Sequence, residues 1–182
     1  MAAVPPYQPS LLRLLHGAVA LLVPMAWLSG LIVYANHDGR WGRLPWRLSG
    51  DWIDIHGTVG VLLWPLALLF VVYACSLGRS RLARAANAAP LLALTVAVGS
   101  GKLMNEDWLR NGQLDSLVYR VHVLAWLALA VVVPLHLLGG LRRGGPALLG
   151  SMVRLRTQAR DQPRHWPGQI HAFFRGKGNN SR

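Results

Sequence analysis

Residues 116–140 read SLVYRVHVLAWLALAVVVPLHLLGG, and this stretch decides the fold. It exceeds the roughly 20 apolar residues an α-helix needs to cross hydrocarbon. It also carries two histidines, His122 and His136, fourteen residues apart. Fourteen residues of helix rise roughly 21 Å, so the two rings belong near opposite faces of one membrane. Fourteen is also two heptads, which in a left-handed bundle turns both side chains to the same interior seam. Ionisable residues are costly inside a bilayer and read as functional by default. Histidine is neutral near pH 7 and the commonest metal ligand.

Three further apolar segments precede this one, at about 11–35, 52–77 and 86–103, the third being the shortest. Pro24, Pro65, Pro90 and Pro134 fall in or near the spans, where neighbouring helices can satisfy the freed backbone groups. The chain of 182 residues is 53% hydrophobic and 14% charged, which places it among membrane proteins rather than soluble domains. The expected fold is all-α, an integral membrane four-helix bundle over 1–143 with a basic tail over 144–182. Within the tail, 146–160 has the pattern of a short amphipathic helix lying at the membrane interface. The N-terminus lacks a basic leader region, so the first span is read as retained.

The net charge of +12 would also suit a nucleic-acid binder, but its distribution excludes that. The side with both termini holds 13 of the 19 basic residues and one acidic residue, Asp161. The other side balances six of each sign. By the positive-inside rule both termini are cytoplasmic, and the basic excess is a contact for anionic lipids. Trp41, Trp46, Trp52 and Trp108 then form an aromatic belt at the outer interface.

This topology sorts four of the histidines into two levels. His16 and His136 lie near the cytoplasmic face; His56 and His122 lie near the outer face. Two imidazoles facing each other across a bundle suit the axial positions of a haem iron. Zinc wants three or four ligands converging on one point, which two separated levels cannot supply. Gly17, Gly57 and Gly60 leave room for a flat macrocycle. Arg13 on the inner level and Arg120 on the outer could pair haem propionates. Blander readings compete: histidines as interhelical hydrogen-bond partners, glycines as close-packing contacts, and arginines as interface anchors. His37, His165 and His171 are read as solvated. The single cysteine, Cys75, is read as an apolar filler of its helix; there is no C-x-x-C-H for covalent haem attachment.

With Arg13-x-x-His16, His56-x-x-x-Gly60 and the His122/His136 pair on four spans, the chain resembles the bacterial cytochrome b561 family. That group includes the b-type cytochrome subunits of hydrogenases and formate dehydrogenases. The resemblance covers about 8–143 and implies two b haems, one held by His16 and His136, the other by His56 and His122. It also implies electron transfer with a quinone (ubiquinone, menaquinone or plastoquinone) in a bacterial inner membrane or a similar energy-transducing one. The run SGKLMNEDW at 100–108 has no assigned family role; its Lys102 reads either as a contact for a haem propionate, a quinone or an anionic substrate, or as a snorkelling interface lysine, the favoured reading.

No nucleotide-binding glycine motif and no set of Fe–S cysteines is present. An outside electron donor or acceptor is therefore needed: a quinone, a soluble redox protein, a partner subunit or a small oxidant such as superoxide. The chain is then a quinone-linked oxidoreductase or the electron-transfer part of one. Two alternatives stand beside this: a non-redox transporter or channel using the histidines, and a haem-bearing anchor for a soluble enzyme. The transporter would need carboxylates within the spans, where Asp54 at an outer edge is the nearest.

Overall fold

The computed structural model describes residues 7–45, 47–104, 106–154 and 157–179. Among them the chain is all-α, without strands: α1 (Ser10–His37), α2 (Trp52–Cys75), α3 (Arg79–Leu82), α4 (Ala85–Leu103), α5 (Glu106–Arg110), α6 (Leu117–Val153) and α7 (Trp166–Asn179). The ends of α1, α2 and α4 fall close to the limits read from hydropathy, whereas α6 runs past the expected end at 140 to Val153. Two starts carry side-chain caps that satisfy an otherwise orphaned amide. Asp51 accepts from the Asp54 amide at 3.3 Å and Ser116 from the Tyr119 amide at 3.2 Å. Trp46 of the expected outer belt lies outside the described residues.

Three helices, α1, α2 and α6, are long and apolar enough to cross a membrane. α4, at 19 residues and expected as a fourth span, is not among them. α1 packs on α2, α2 on α4 and α4 on α6, and α6 returns to α1. Small side chains bring the backbones together at the shared core, where Ala67, Ala93, Ala97 and Ala125 interleave with Val19, Leu63, Leu94 and Leu129. Such small residues are what helix association in lipid relies on, because lipid is as apolar as leucine and only packing distinguishes the two. Outward, Leu21, Val61, Leu92, Leu124 and Val131 are exposed, an apolar jacket suited to acyl chains. Cys75, read as a filler, is instead exposed at the end of α2.

Aromatic stacking reinforces the seam between α1 and α6. Trp27 and Trp126 stack at 5.1 Å with planes 17° apart. Each indole N–H donates to the other's backbone carbonyl, at 3.2 and 3.1 Å. Tyr34 stacks on Trp126 at 5.7 Å. At that end, buried Asp38 accepts from the Tyr119 hydroxyl at 2.7 Å and from Arg40 at 2.8 Å. Burial alone would raise the Asp38 carboxyl, but these hydrogen bonds outweigh it and hold its pKa below the ordinary value.

α6 is interrupted at Gly145, whose φ of 59° lies in the left-handed region that favours glycine. Pro146 then begins a second helical segment over 146–153, since proline suits the first helical turn. The helix expected over 146–160 is therefore shorter: Arg154 is extended (φ −70°, ψ 130°), and 155–156 lie outside the described residues. The tail folds back onto the start of α1. Asp161 accepts from the Ser10 amide at 2.6 Å, the Ser10 hydroxyl donates to the Asp161 carbonyl at 2.6 Å, and the Trp166 indole N–H donates to Ser10 Oγ at 2.8 Å. The Tyr7 hydroxyl donates to Asp161 as well, and Arg13 donates to the Arg154 carbonyl.

Candidate functional site

The structure brings the four intramembrane histidines together as two couples. The His16 and His136 rings lie 6.2 Å apart, centre to centre, with planes 40° apart. The His56 and His122 rings lie 6.0 Å apart with planes 76° apart. α6 supplies one ring to each couple; α1 and α2 supply the others. All four are half buried. A separation near 6 Å leaves room for one metal ion with a nitrogen at roughly 2 Å on either side. Among the described residues no cluster of three or more metal-binding side chains forms, so zinc has no complete site there.

The hydrogen bonds on the other ring nitrogens define what the rings can do. His122 Nδ1 lies 2.9 Å from the Ala97 carbonyl, and His136 Nδ1 lies 2.8 Å from the Ala86 carbonyl. A carbonyl can only accept, so both Nδ1 atoms carry the proton and Nε2 keeps a bare lone pair. This is the arrangement of a metal-ligating histidine, oriented from behind by its second nitrogen. His56 is held likewise, by the Ser29 hydroxyl at 3.0 Å and by the backbone of Ala26.

Around the outer couple lies a cavity of about 220 Å3. Trp27, Trp64 and Trp126 contribute aromatic walls, Gly57 and Gly60 an open side, and Lys102 a cation. A methyl group placed on Gly60 would meet no protein atom within 4 Å, and the same holds at Gly17 beside His16. Neither glycine serves close helix packing: Gly60 opens onto the outer cavity one turn from His56, whereas Gly17 is exposed on the outside of α1. Phe70 stands edge-on to His16 at 6.2 Å, an apolar neighbour for the inner couple. The donor set at each level, two imidazoles, suits haem iron, and at the outer couple a cavity adjoins it.

The two arginines expected at these levels behave differently. Arg13, three residues before His16 and so on the same helix face, is buried and lies over the Tyr7 ring at 5.4 Å. Arg120 does not join the outer cavity. It sits two residues from His122, which puts it on a different face of the helix, and it pairs with Asp115 at 3.3 Å in the open. Lys102 lines the cavity instead. Asp54, the carboxylate nearest a span, is exposed and held by Arg110 at 2.7 Å.

Sequence reading missed a repeat. α1 contains Ala26-Trp-Leu-Ser29-Gly30 and α4 contains Ala97-Val-Gly-Ser100-Gly101. Each presents a carbonyl, a hydroxyl and a bare glycine to one outer histidine. Ser100 Oγ lies 3.2 Å from His122 Nδ1, matching Ser29 at His56. A methyl group at Gly30 would come within 3.1 Å of His56 Cε1, and one at Gly101 within 3.0 Å of His122 Cε1. The signal was available as a five-residue pattern, A-x-x-S-G, occurring once in each span that lacks an outer histidine.

A family model described as prokaryotic cytochrome b561 matches residues 7–155. No significant match is found among curated proteins or among solved structures.

Proposed function

Because the chain belongs to the prokaryotic cytochrome b561 family, we propose that it is a membrane electron-transfer cytochrome holding two b haems and exchanging electrons with a quinone pool. One haem belongs between His16 and His136, the other between His56 and His122. The observation that carries this reading is the geometry of two ring couples, 6.2 and 6.0 Å apart, with one member of each on a single helix.

Haem bound there would supply one-electron redox chemistry, tuned by its axial ligands and by the polarity around them. His56, His122 and His136 are held by partners behind Nδ1, which leaves Nε2 as the ligating nitrogen. Trp27, Trp126 and Leu63 wall the outer cavity and give it apolar surroundings. Lys102 offers a cation there to a propionate, a quinone oxygen or another anionic group; Arg13 offers one near the inner couple. The basic excess on the side of the termini supports a cytoplasmic placement of both, contact with anionic lipids, and a bacterial inner membrane as the setting. Transport by intramembrane histidines finds less support, since Asp54 is tied to Arg110 at the surface rather than along a path.

Purified protein is expected to show reduced b-type α and Soret bands, with two haems per chain by pyridine haemochrome. Protein free of haem overturns the reading, and one haem per chain overturns the two-couple form of it. A second expectation concerns electron paramagnetic resonance of the oxidised protein. Two low-spin signals should appear, and the outer couple, with planes 76° apart against 40° for the inner, should give the more anisotropic one. Identical signals at both levels would count against these ring orientations.

A further inference from the structure

The hydroxyls of Ser29 and Ser100 have a fixed role that follows from proton counting. A serine hydroxyl has one hydrogen to donate. Ser29 Oγ spends it on its own helix, with the Met25 carbonyl at 2.8 Å and that of Ala26 at 3.1 Å. Ser100 Oγ does the same, with the Val96 carbonyl at 2.6 Å and that of Ala97 at 3.1 Å. Toward His56 and His122 both oxygens can therefore only accept. His122 Nδ1 thus meets two acceptors, the Ala97 carbonyl and Ser100 Oγ, and His56 meets Ser29 Oγ at Nδ1 with the Ala26 backbone as its second partner. The glycine that follows each serine lets the imidazole close in, because a Cβ at either position would sit 3.0–3.1 Å from the ring carbon Cε1.

We propose that the Ala-x-x-Ser-Gly segments of α1 and α4 are a matched pair of positioning cradles that make His56 and His122 stronger electron donors to the outer haem than unassisted imidazoles. Ser29 and Ser100 are positioning residues, acting through the histidines. Acceptors behind Nδ1 raise the basicity of a ligating imidazole, and a more basic axial ligand favours the oxidised iron. The cradles therefore hold the outer potential low relative to the same couple without them. The inference rests on the two-haem reading above.

The test is an optical redox titration of the haem-loaded protein carrying Ser29→Ala, Ser100→Ala or both, with the outer component assigned from a His136→Ala variant that keeps only the outer couple. Each serine variant should retain two haems. The midpoint of the outer component should rise, further in the double variant, while the inner midpoint stays fixed. Ser29→Thr and Ser100→Thr, which keep the hydroxyl, should return the outer midpoint toward the parent value. Haem retained with an unmoved outer midpoint overturns the proposal and leaves the two-haem reading standing. Haem lost from the serine variants and restored by threonine without any change of midpoint also overturns it, since the serines would then only support packing. A parent protein without haem fails the earlier reading instead, so the two failures are distinguishable.

Discussion

Replacing His122 by alanine is expected to halve the haem content, from two per chain to one, and to leave the remaining haem spectrally unchanged. The reason lies in α6. It provides one ring to each couple, and the fourteen residues between them span roughly 21 Å, far enough that loss of one ring does not disturb the other. Without His122, His56 faces an enlarged cavity, and Ser100 and the Ala97 carbonyl lose the ring they orient. A haem with one axial histidine in a lipid-facing cavity has lost half of its protein ligation, so retention through purification is not expected. His136→Ala should remove the other haem, and the double variant should carry none. Either single variant should also abolish electron transfer from one face to the other while sparing the chemistry of the surviving level. Absorbance at the Soret maximum, normalised to protein, reads the outcome directly. Full haem content in His122→Ala would show that the couple does not ligate haem.

The helices and the levels of the four histidines were legible because both rest on patterns local to one segment. Hydropathy marks each span, and helix rise converts the interval from His122 to His136 into depth. What escaped the sequence depends on relations between segments or on helix phase. Arg120 is at the right depth for the outer couple but two residues out of phase with His122, so depth alone misplaced it. Lys102 has two readings in sequence, interface anchor or contact for an anionic group, and only the packing of α4 beside α2 and α6 brings it to the outer cavity. Gly17 and Gly60 admit two readings in sequence, close packing or open space, and only the placement of neighbouring atoms decides between them. The Ala-x-x-Ser-Gly cradles look like ordinary small residues of a packed membrane helix until each is seen against a histidine from another helix. The tail likewise reads as an interfacial helix with a surface-bound or flexible end, because its attachment to α1 depends on one carboxylate meeting a helix start more than a hundred residues earlier.

That carboxylate is the subject of a second large effect: Asp161→Ala should release the tail from α1. The start of α1 has no side-chain cap of its own, its flanking residue being Pro9. Its first amides would be left unpaired. Asp161 supplies the missing acceptor from far along the chain, through the Ser10 amide at 2.6 Å. Its negative charge also sits at the positive end of the helix dipole. Ser10 and Tyr7 donate hydroxyls to the same residue, and Trp166 closes over Ser10. A hydrogen bond to a charged group contributes about 1.5–3 kcal/mol, so losing this acceptor should shift the balance between attached and free tail roughly ten- to a hundredfold. Trypsin under limiting conditions reports it, since Arg160 and Arg164 flank Asp161 and should be cut correspondingly faster in the variant. The same contact should weaken in acid. Burial by itself would raise the Asp161 carboxyl, but the hydrogen bonds from Tyr7 and Ser10 outweigh it and hold the pKa below the ordinary carboxylate value. A carboxyl depressed in the folded state adds stability that is fully present above its unfolded pKa of about 3.9. That contribution is lost as pH falls through the folded value. The tail should therefore stay attached from neutral pH down to about pH 4 and detach below it in the parent protein, whereas Asp161→Ala should be detached throughout with no such transition. Equal cleavage of parent and variant at neutral pH would show that Asp161 does not hold the tail.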